Sequence, residues 1–572
     1  MKRNMTVAIV AGILITLTLP AQLAAQHPRY KLIDLGTLGG PASFTCPSCF
    51  NGQFFASGIV NELGITVGWA DTSVPDPFPA FCFYDCFVDH AFRWQNGALT
   101  DLGALTGDTS SAPNWISPNG FIAGLSENGE TDPLSAGLPE VHAVLWQPGQ
   151  PITDLGTLPE GGYESYAAAV NSRGQVVGAA LNKIPDTNSM QPGTYWLWGG
   201  IVPYQYQTRA FLWDKQNGMQ DLGALPGGTD AQAVFINELG QVVGFSYTSS
   251  SPSAFCADKY SFALTTGSFI WDKENGLQNL GSLGGTCTLA FGLNNQGQVV
   301  GVSSLARDVN YHAFLWQGGL LADLGTLGGD TSAPGFISDT GDIVGVADLP
   351  GPSPQNHHAV LWRNSGRIDL GVLKGDSCSR AYGVNSSGQV VGNSESQALC
   401  GLSGEHAFLW EDGQMFDLDT LIPAGSSLGL SHALAITDRG EIVGLGVPPG
   451  CPRSQDDVCG HAYVLIPYDE DKPESSDQAA KLPATQTQLP EVHQRVAEEA
   501  VAPDAMDRLA DTLSLTGETN SSQKPVWLRR INRPGTCSQQ GAECIDPRLP
   551  HCCPGLVCEI TGLRGFCTSK PF

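Results

Sequence analysis

Between residues 30 and 467 the apolar residues come in short runs, and each run ends at a cluster of Gly, Asn, Asp or Ser. One unit from the later part of the chain shows the pattern. Arg380-Ala-Tyr-Gly-Val-Asn385 and Gln389-Val-Val-Gly392 flank the turn residues Ser386-Ser-Gly388. His406-Ala-Phe-Leu-Trp410 and Gln414–Leu421 flank Glu411-Asp-Gly413. Apolar and aromatic runs bounded by turn residues predict strands, and Asn followed by a nearby Gly predicts the hairpin that joins the first two. A variable loop separates the second run from the third. Helical periodicity is absent from these units.

The unit repeats. The third run recurs as His90–Trp94, His142–Trp146, Arg209–Trp213, Ser268–Trp271, His312–Trp316, His358–Trp362 and His406–Trp410, with a tryptophan-less copy at His461–Val464. The fourth begins at Asp34, Asp101, Asp154, Asp221, Asn279, Asp323, Asp369 and Asp417, at spacings from 44 to 67 residues. A repeat of this period decides the architecture before any other feature. Both faces of each predicted sheet are apolar, so each needs a neighbour on either side. Small residues mark the first strand, as in Ala167-Ala-Ala169, Ala290-Phe-Gly292, Ala333-Pro-Gly335 and Ala381-Tyr-Gly383. They suit a strand crowded against a central axis. The expected fold class is all-β: a β-propeller of eight four-stranded blades, with seven blades or a β-solenoid as alternatives. Residues 30–38 hold a fourth strand with no third strand before it, and His461–Ile466 a third strand with no fourth after it. The two halves are expected to complete one blade, giving N-/C-terminal strand closure.

The His-Ala-Phe-x-Trp, Asp-Leu-Gly-x-Leu-Gly-Gly and Asn-x-x-Gly-Gln-Val-Val-Gly elements resemble the bacterial extracellular HAF repeat family over about residues 29–467. The resemblance implies export and a repeat architecture. It implies no reaction.

The ends add three segments. Lys2, Arg3, the apolar run Met5–Leu19 and Pro20–Ala25 read as a signal peptide over residues 1–25. The apolar run is short for a membrane span. Residues 26–467 form the repeat domain, and residues 468–535, rich in Pro, Gln, Ser, Asp and Glu, read as a linker. Residues 536–572 hold six cysteines and are too short to bury a core, so disulfides must hold them. The adjacent pair Cys552-Cys553 makes this module resemble inhibitor-cystine-knot (knottin) peptides. That resemblance implies the pairs Cys537–Cys553, Cys544–Cys558 and Cys552–Cys567, where sequence alone allows every pairing.

The formal net charge of −27 disfavours phosphate backbones, so no nucleic-acid partner is expected. Sixteen cysteines in an exported chain point to disulfides. Within the repeats the expected bridges are Cys256–Cys287, Cys378–Cys400 and Cys451–Cys459, with two more among Cys46, Cys49, Cys82 and Cys86. No metal site and no cofactor is expected; a zinc site from Cys46, Cys49, Cys82 and Cys86 is the alternative.

The six histidines at the repeat position, the Asp of each Asp-Leu-Gly and the tryptophans are expected to be structural, since a reaction happens at one place. No phosphate loop, zinc-protease helix or serine elbow is present. The chain is therefore expected to be a non-catalytic monomer that binds a glycan or a protein outside the cell. The alternatives are a propeller enzyme acting on polysaccharide, with carboxylates supplied by separate blades, and a carrier of the C-terminal knot. The insertions between second and third strands are expected to gather on one face. The longest, residues 180–208, offers Tyr195, Trp196, Trp198, Tyr204 and Tyr206 as ligand contacts.

Overall fold

The computed structural model describes residues 29–45, 58–76, 87–107, 109–133, 139–159, 161–190, 206–260, 262–351, 356–364, 366–396, 400, 405–453 and 459–468, and the backbone of 543–544, 556–561 and 564–569. The signal peptide, the linker beyond Tyr468, and Cys46, Cys49, Cys82, Cys86, Cys537, Cys552 and Cys553 lie outside the described residues.

The repeats fold as eight antiparallel units of four strands in a propeller-like arrangement. We number the sheets 1 to 8 by their first strands: Gly39–Phe44, Ser111–Ile116, Ser165–Val170, Ala231–Ile236, Gly284–Leu293, Ser332–Ile337, Cys378–Val384 and Gly429–Ile436. In sheets 1 to 7 the four strands are consecutive. Sheet 8 takes its fourth strand from the other end of the repeat domain. Tyr30–Asp34 pairs antiparallel with His461–Pro467, from Tyr30↔Pro467 to Asp34↔Tyr463. Sheet 8 also packs on sheet 1, where Leu434, Val443, Ala462 and Val464 share a core with Ile59, Ala70 and Phe92.

One steric detail explains the glycine at the third position of every second strand, as in Val176-Val-Gly178 and Ile343-Val-Gly345. The first strand carries a register shift before its end, as between Ala167 and Ala169 or Ala381 and Gly383. The shift turns a first-strand carbonyl inward over the glycine. A Cβ at Gly178 would lie 1.9 Å from Tyr166 O, and one at Gly392 1.9 Å from Arg380 O. No other residue fits under such a bulge. The phenylalanine of the third strand fills the same layer: Phe92, Phe211, Phe269, Phe314 and Phe408 are fully buried. The tryptophans reach toward the preceding sheet, and Trp146 and Trp362 donate Nε1–H to Leu102 O and Leu324 O, each at 3.1 Å.

The insertions differ from expectation. The second and third strands run on into them as hairpin arms past an irregularity, at Asp71/Pro75, Glu127/Thr131, Leu181/Pro185 and Tyr247/Pro252. The insertion of sheet 4 holds a short helix, Ala254–Tyr260, which the repeat pattern did not predict. Cys256 of that helix is bonded to Cys287 of sheet 5. Cys378–Cys400 and Cys451–Cys459 are also bonded, with Cα separations of 5.8 and 5.9 Å. At the C-terminus, Arg564–Ser569 lies between Glu543–Cys544 and Leu556–Thr561, and places Cys567 opposite Cys558. No helix among the described residues is long and apolar enough to cross a membrane.

Candidate functional site

The first strands end at eight tight turns, and the turns are bound to one another. In sheet 3, Asn171 Oδ1 accepts from Arg173 N and Gln175 N, which holds its own turn. Its Nδ2 donates to Asn237 O in sheet 4. Asn237 does the same to Asn294 O, Asn294 to Ser338 O, and Asn385 to Thr437 O. The amide suits the position because it offers an acceptor and a donor at once.

The residue after each of these forms a second set of links. Ser172 N donates to the Glu238 carboxylate, Glu238 N to Asn295 Oδ1, Asn295 N to Asp339 Oδ1, and Ser386 N to Asp438 Oδ1. Asp438 N donates to Glu62 Oε1 at 3.1 Å, which joins sheet 8 to sheet 1.

These turns surround a cavity of about 340 Å³ on the axis, lined by residues of all eight sheets. Its rim carries Glu62, Glu238, Asp339 and Asp438, from sheets 1, 4, 6 and 8. Its walls are Ile116, Val170, Ile236, Leu293, Ile337, Val384 and Ile436. Trp115, Phe235, Phe336 and Tyr382 add aromatic surface deeper in. Trp115 meets Phe235 edge-on, with ring centroids 4.4 Å apart, although the two come from sheets 2 and 4. A Cβ at Gly58 would fall 2.4 Å from Trp115 Cδ2, so only glycine leaves room for the indole there. Burial raises the Glu62 carboxyl above its ordinary range, with help from Asp438 and Glu441, and against the Asp438 N–H that favours the ionised form. An apolar concavity with a few convergent polar groups is the usual form of a small-molecule site.

The opposite face holds the insertions and the repeated histidines. Nδ1 of His90, His142, His312, His358 and His461 lies 2.8–3.0 Å from Asp101, Asp154, Asp323, Asp369 and Asp34. Arg209 reaches Asp221 in sheet 3. Each pair ties third strand to fourth, the structural role expected. Of the predicted ligand contacts, Tyr195, Trp196, Trp198 and Tyr204 lie outside the described residues. Tyr206 is no loop residue: it opens the third strand of sheet 3, half-buried, opposite Pro185.

The insertions, the most variable stretches of the sequence, point to the other face and away from the cavity. Its signal stands two residues before each turn. There Trp115, Phe235 and Phe336 occupy sheets 2, 4 and 6, while Ala169, Gly292 and Gly383 occupy sheets 3, 5 and 7; Ile59 in sheet 1 and Ala435 in sheet 8 break the alternation. Alternation of large and small side chains fills a narrowing axis.

No family model matches the sequence, and no curated protein matches it. Among solved structures it resembles a puromycin-hydrolyzing peptidase of Mycobacterium tuberculosis, at TM-score 0.36 and 11% identity, covering 74% of this chain and 62% of that one. It resembles Porphyromonas gingivalis dipeptidyl peptidase 4 at 0.36 and 8%, covering 68% and 57%. A Xanthomonas campestris gluconolactonase follows at 0.23 and 11%, covering 46% and 79%. The chain thus spans less than two thirds of the length of either peptidase. All three are named as enzymes, which runs against the expectation of a non-catalytic chain. Likenesses of this size assign no reaction and no residue.

Proposed function

We propose that the chain is an extracellular, closed eight-bladed propeller that cleaves polysaccharide chain ends in the cavity on its turn face. The observation that carries this reading is the convergence of carboxylates from four different sheets on one cavity with aromatic surface inside it. Glycoside cleavage needs one carboxyl that keeps its proton and a second that is ionised, on separate supports. Glu62 is suited to be the acid, because its surroundings favour the protonated form. Asp339, whose oxygens accept from Asn295 N and Nδ2, is the partner carboxylate. Trp115 and Tyr382 offer faces on which a sugar ring can stack. A rim of four carboxylates repels uronates and favours neutral or amino sugars.

The test is release of reducing ends from soluble cellulose, xylan and chitosan derivatives. Glu62→Gln is expected to lower the rate by about 100-fold or more while the fold is kept. No release from any of these substrates, or full activity in both Glu62→Gln and Asp339→Asn, would refute the reading.

A second reading places a glycan or protein ligand on the insertion face. The extension of four hairpin arms beyond their sheets favours it, since they offer surface without disturbing the frame.

A further inference from the structure

Sheet 7 breaks the repeat at the histidine. In the other sheets that carry the histidine, its Nδ1 faces the Asp of Asp-Leu-Gly, and that Asp also accepts the N–H of the glycine two residues on, as Gly325 N to Asp323 at 2.7 Å and Gly371 N to Asp369 at 2.8 Å. Those glycines have φ of +66° and +75°, a conformation that side chains resist. In sheet 7 the sequence is Asp417-Leu-Asp419. Without the glycine the chain turns instead into the 3-10 helix Leu418–Thr420, and Asp417 caps it by accepting from Asp419 N. The histidine partner is therefore lost, and His406 Nδ1 lies 3.1 Å from Asp376 Oδ2, in the connector from sheet 6.

Glu405 stands beside it. Its Oε2 accepts from Ser396 N, and its backbone carbonyl from Arg453 Nη1. Ligand atoms of Asp376, Glu405 and His406 all lie within 4.8 Å of one another. No other group of three such side chains among the described residues does so. The Cys378–Cys400 disulfide fixes the start of the first strand to the insertion that leads into Glu405. The Asp376 side chain is 5% exposed and that of His406 33%, so the group is held on one side and open on the other.

We propose that Asp376, Glu405 and His406 form a binding site for a divalent transition-metal ion, held by one imidazole nitrogen and two carboxylate oxygens. Imidazole with carboxylates suits Zn²⁺ or Mn²⁺ better than Ca²⁺ or Mg²⁺, which take oxygen ligands. The site lies on the insertion face, opposite the cavity, and does not depend on the reading given for that cavity. The pairs at His90, His312, His358 and His461 serve as internal controls, since each has the histidine and one carboxylate; His142 also meets Glu140, but through its other ring nitrogen.

The test is calorimetric titration of Zn²⁺ into the chelator-stripped full chain, with metal content checked by mass spectrometry after dialysis. One ion per chain is expected, with a rise in Tm on saturation. His406→Ala and Glu405→Gln are each expected to weaken binding more than about tenfold. Glu405→Gln keeps an oxygen for Ser396 N, so it reports even if His406→Ala does not fold. His358→Ala, which breaks an ordinary pair, is expected to leave binding unchanged. No stoichiometric binding, equal loss in His358→Ala, unchanged binding in Glu405→Gln, or equal affinity for Ca²⁺ would overturn the proposal.

Discussion

The two faces of the repeat domain are built by opposite means. On the turn face the short turns follow a shared plan, and side-chain amides and carboxylates link most of them to the next. On the insertion face the sheets diverge in length, and disulfides brace them locally. Repetition gives a frame in which each small bond is shared around the axis. The two proposed sites lie where a repeat position changes its residue: carboxylate for Ser or Asn on the turn rim, and Asp419 for Gly in sheet 7.

Removing residues 29–34 is expected to have the largest effect on that contrast. It strips the strand that pairs with His461–Pro467, together with the Tyr30 core contacts and the His461–Asp34 bond. Loss of cooperative unfolding by circular dichroism is expected, because a central sheet edge is left bare. A comparable deletion in the sheet 4 insertion is expected to leave the transition in place. Equal effects would erase the distinction between the faces.

Trp115→Ala comes next, at about 3 kcal/mol in denaturant unfolding, as for a large aromatic removed from a packed axis. Gly58→Ala is expected to be destabilising in the native background and close to harmless beside Trp115→Ala, since the clash is with the indole itself. Additive effects would show that the two residues do not meet.

The insertion face stores a charge problem near the base of its arms. Glu127 and Glu164 are fully buried, and each gives one oxygen to a backbone N–H, of Ser110 at 3.0 Å and Val141 at 3.2 Å. Their other oxygens, Oε1 of Glu127 and Oε2 of Glu164, accept no hydrogen bond. Burial pushes Glu127 up to about 8, and raises Glu164 well above its ordinary value with Asp132 adding to it. A raised folded pKa means the protonated form stabilises the fold fully below the unfolded value. That stability is lost as pH rises through the folded one. Stability is therefore expected to fall between about pH 5 and pH 8, by roughly 3 kcal/mol from Glu127 alone. Glu127→Gln should flatten this slope in urea unfolding measured across that range; an unchanged slope would contradict the assignment.

The smallest effect belongs to single turn links. Asn237→Ala is expected to cost about 1–2 kcal/mol, because it removes two acceptor bonds and one inter-sheet donor bond. A cost near zero would mean the links are incidental to the frame.

Much of the frame was legible in sequence because each repeat votes on the same feature. The hairpin at Asn385–Gly388, the aromatic third strand and the complementary half-sheets at Tyr30 and His461 follow from turn chemistry and alternation. What was not legible depends on phase around the axis. Trp115 and Phe235 are 120 residues apart and meet only because an even-numbered sheet lies on either side of a small-residue one. Likewise His406 looks like its fellows in sequence. Its different partner follows from Asp419, a neighbour in space through Asp417 and not a part of the histidine motif.

The most direct test of the turn-face assignment is hydrogen–deuterium exchange with and without a saturating mixture of cello-, xylo- and chito-oligosaccharides. Protection is expected in the turns at residues 61–64, 237–240, 338–341 and 437–440 and in the strand ending at Ile116. Protection confined to residues 126–141, 180–208 and 246–267 would place the ligand on the insertion face and contradict it.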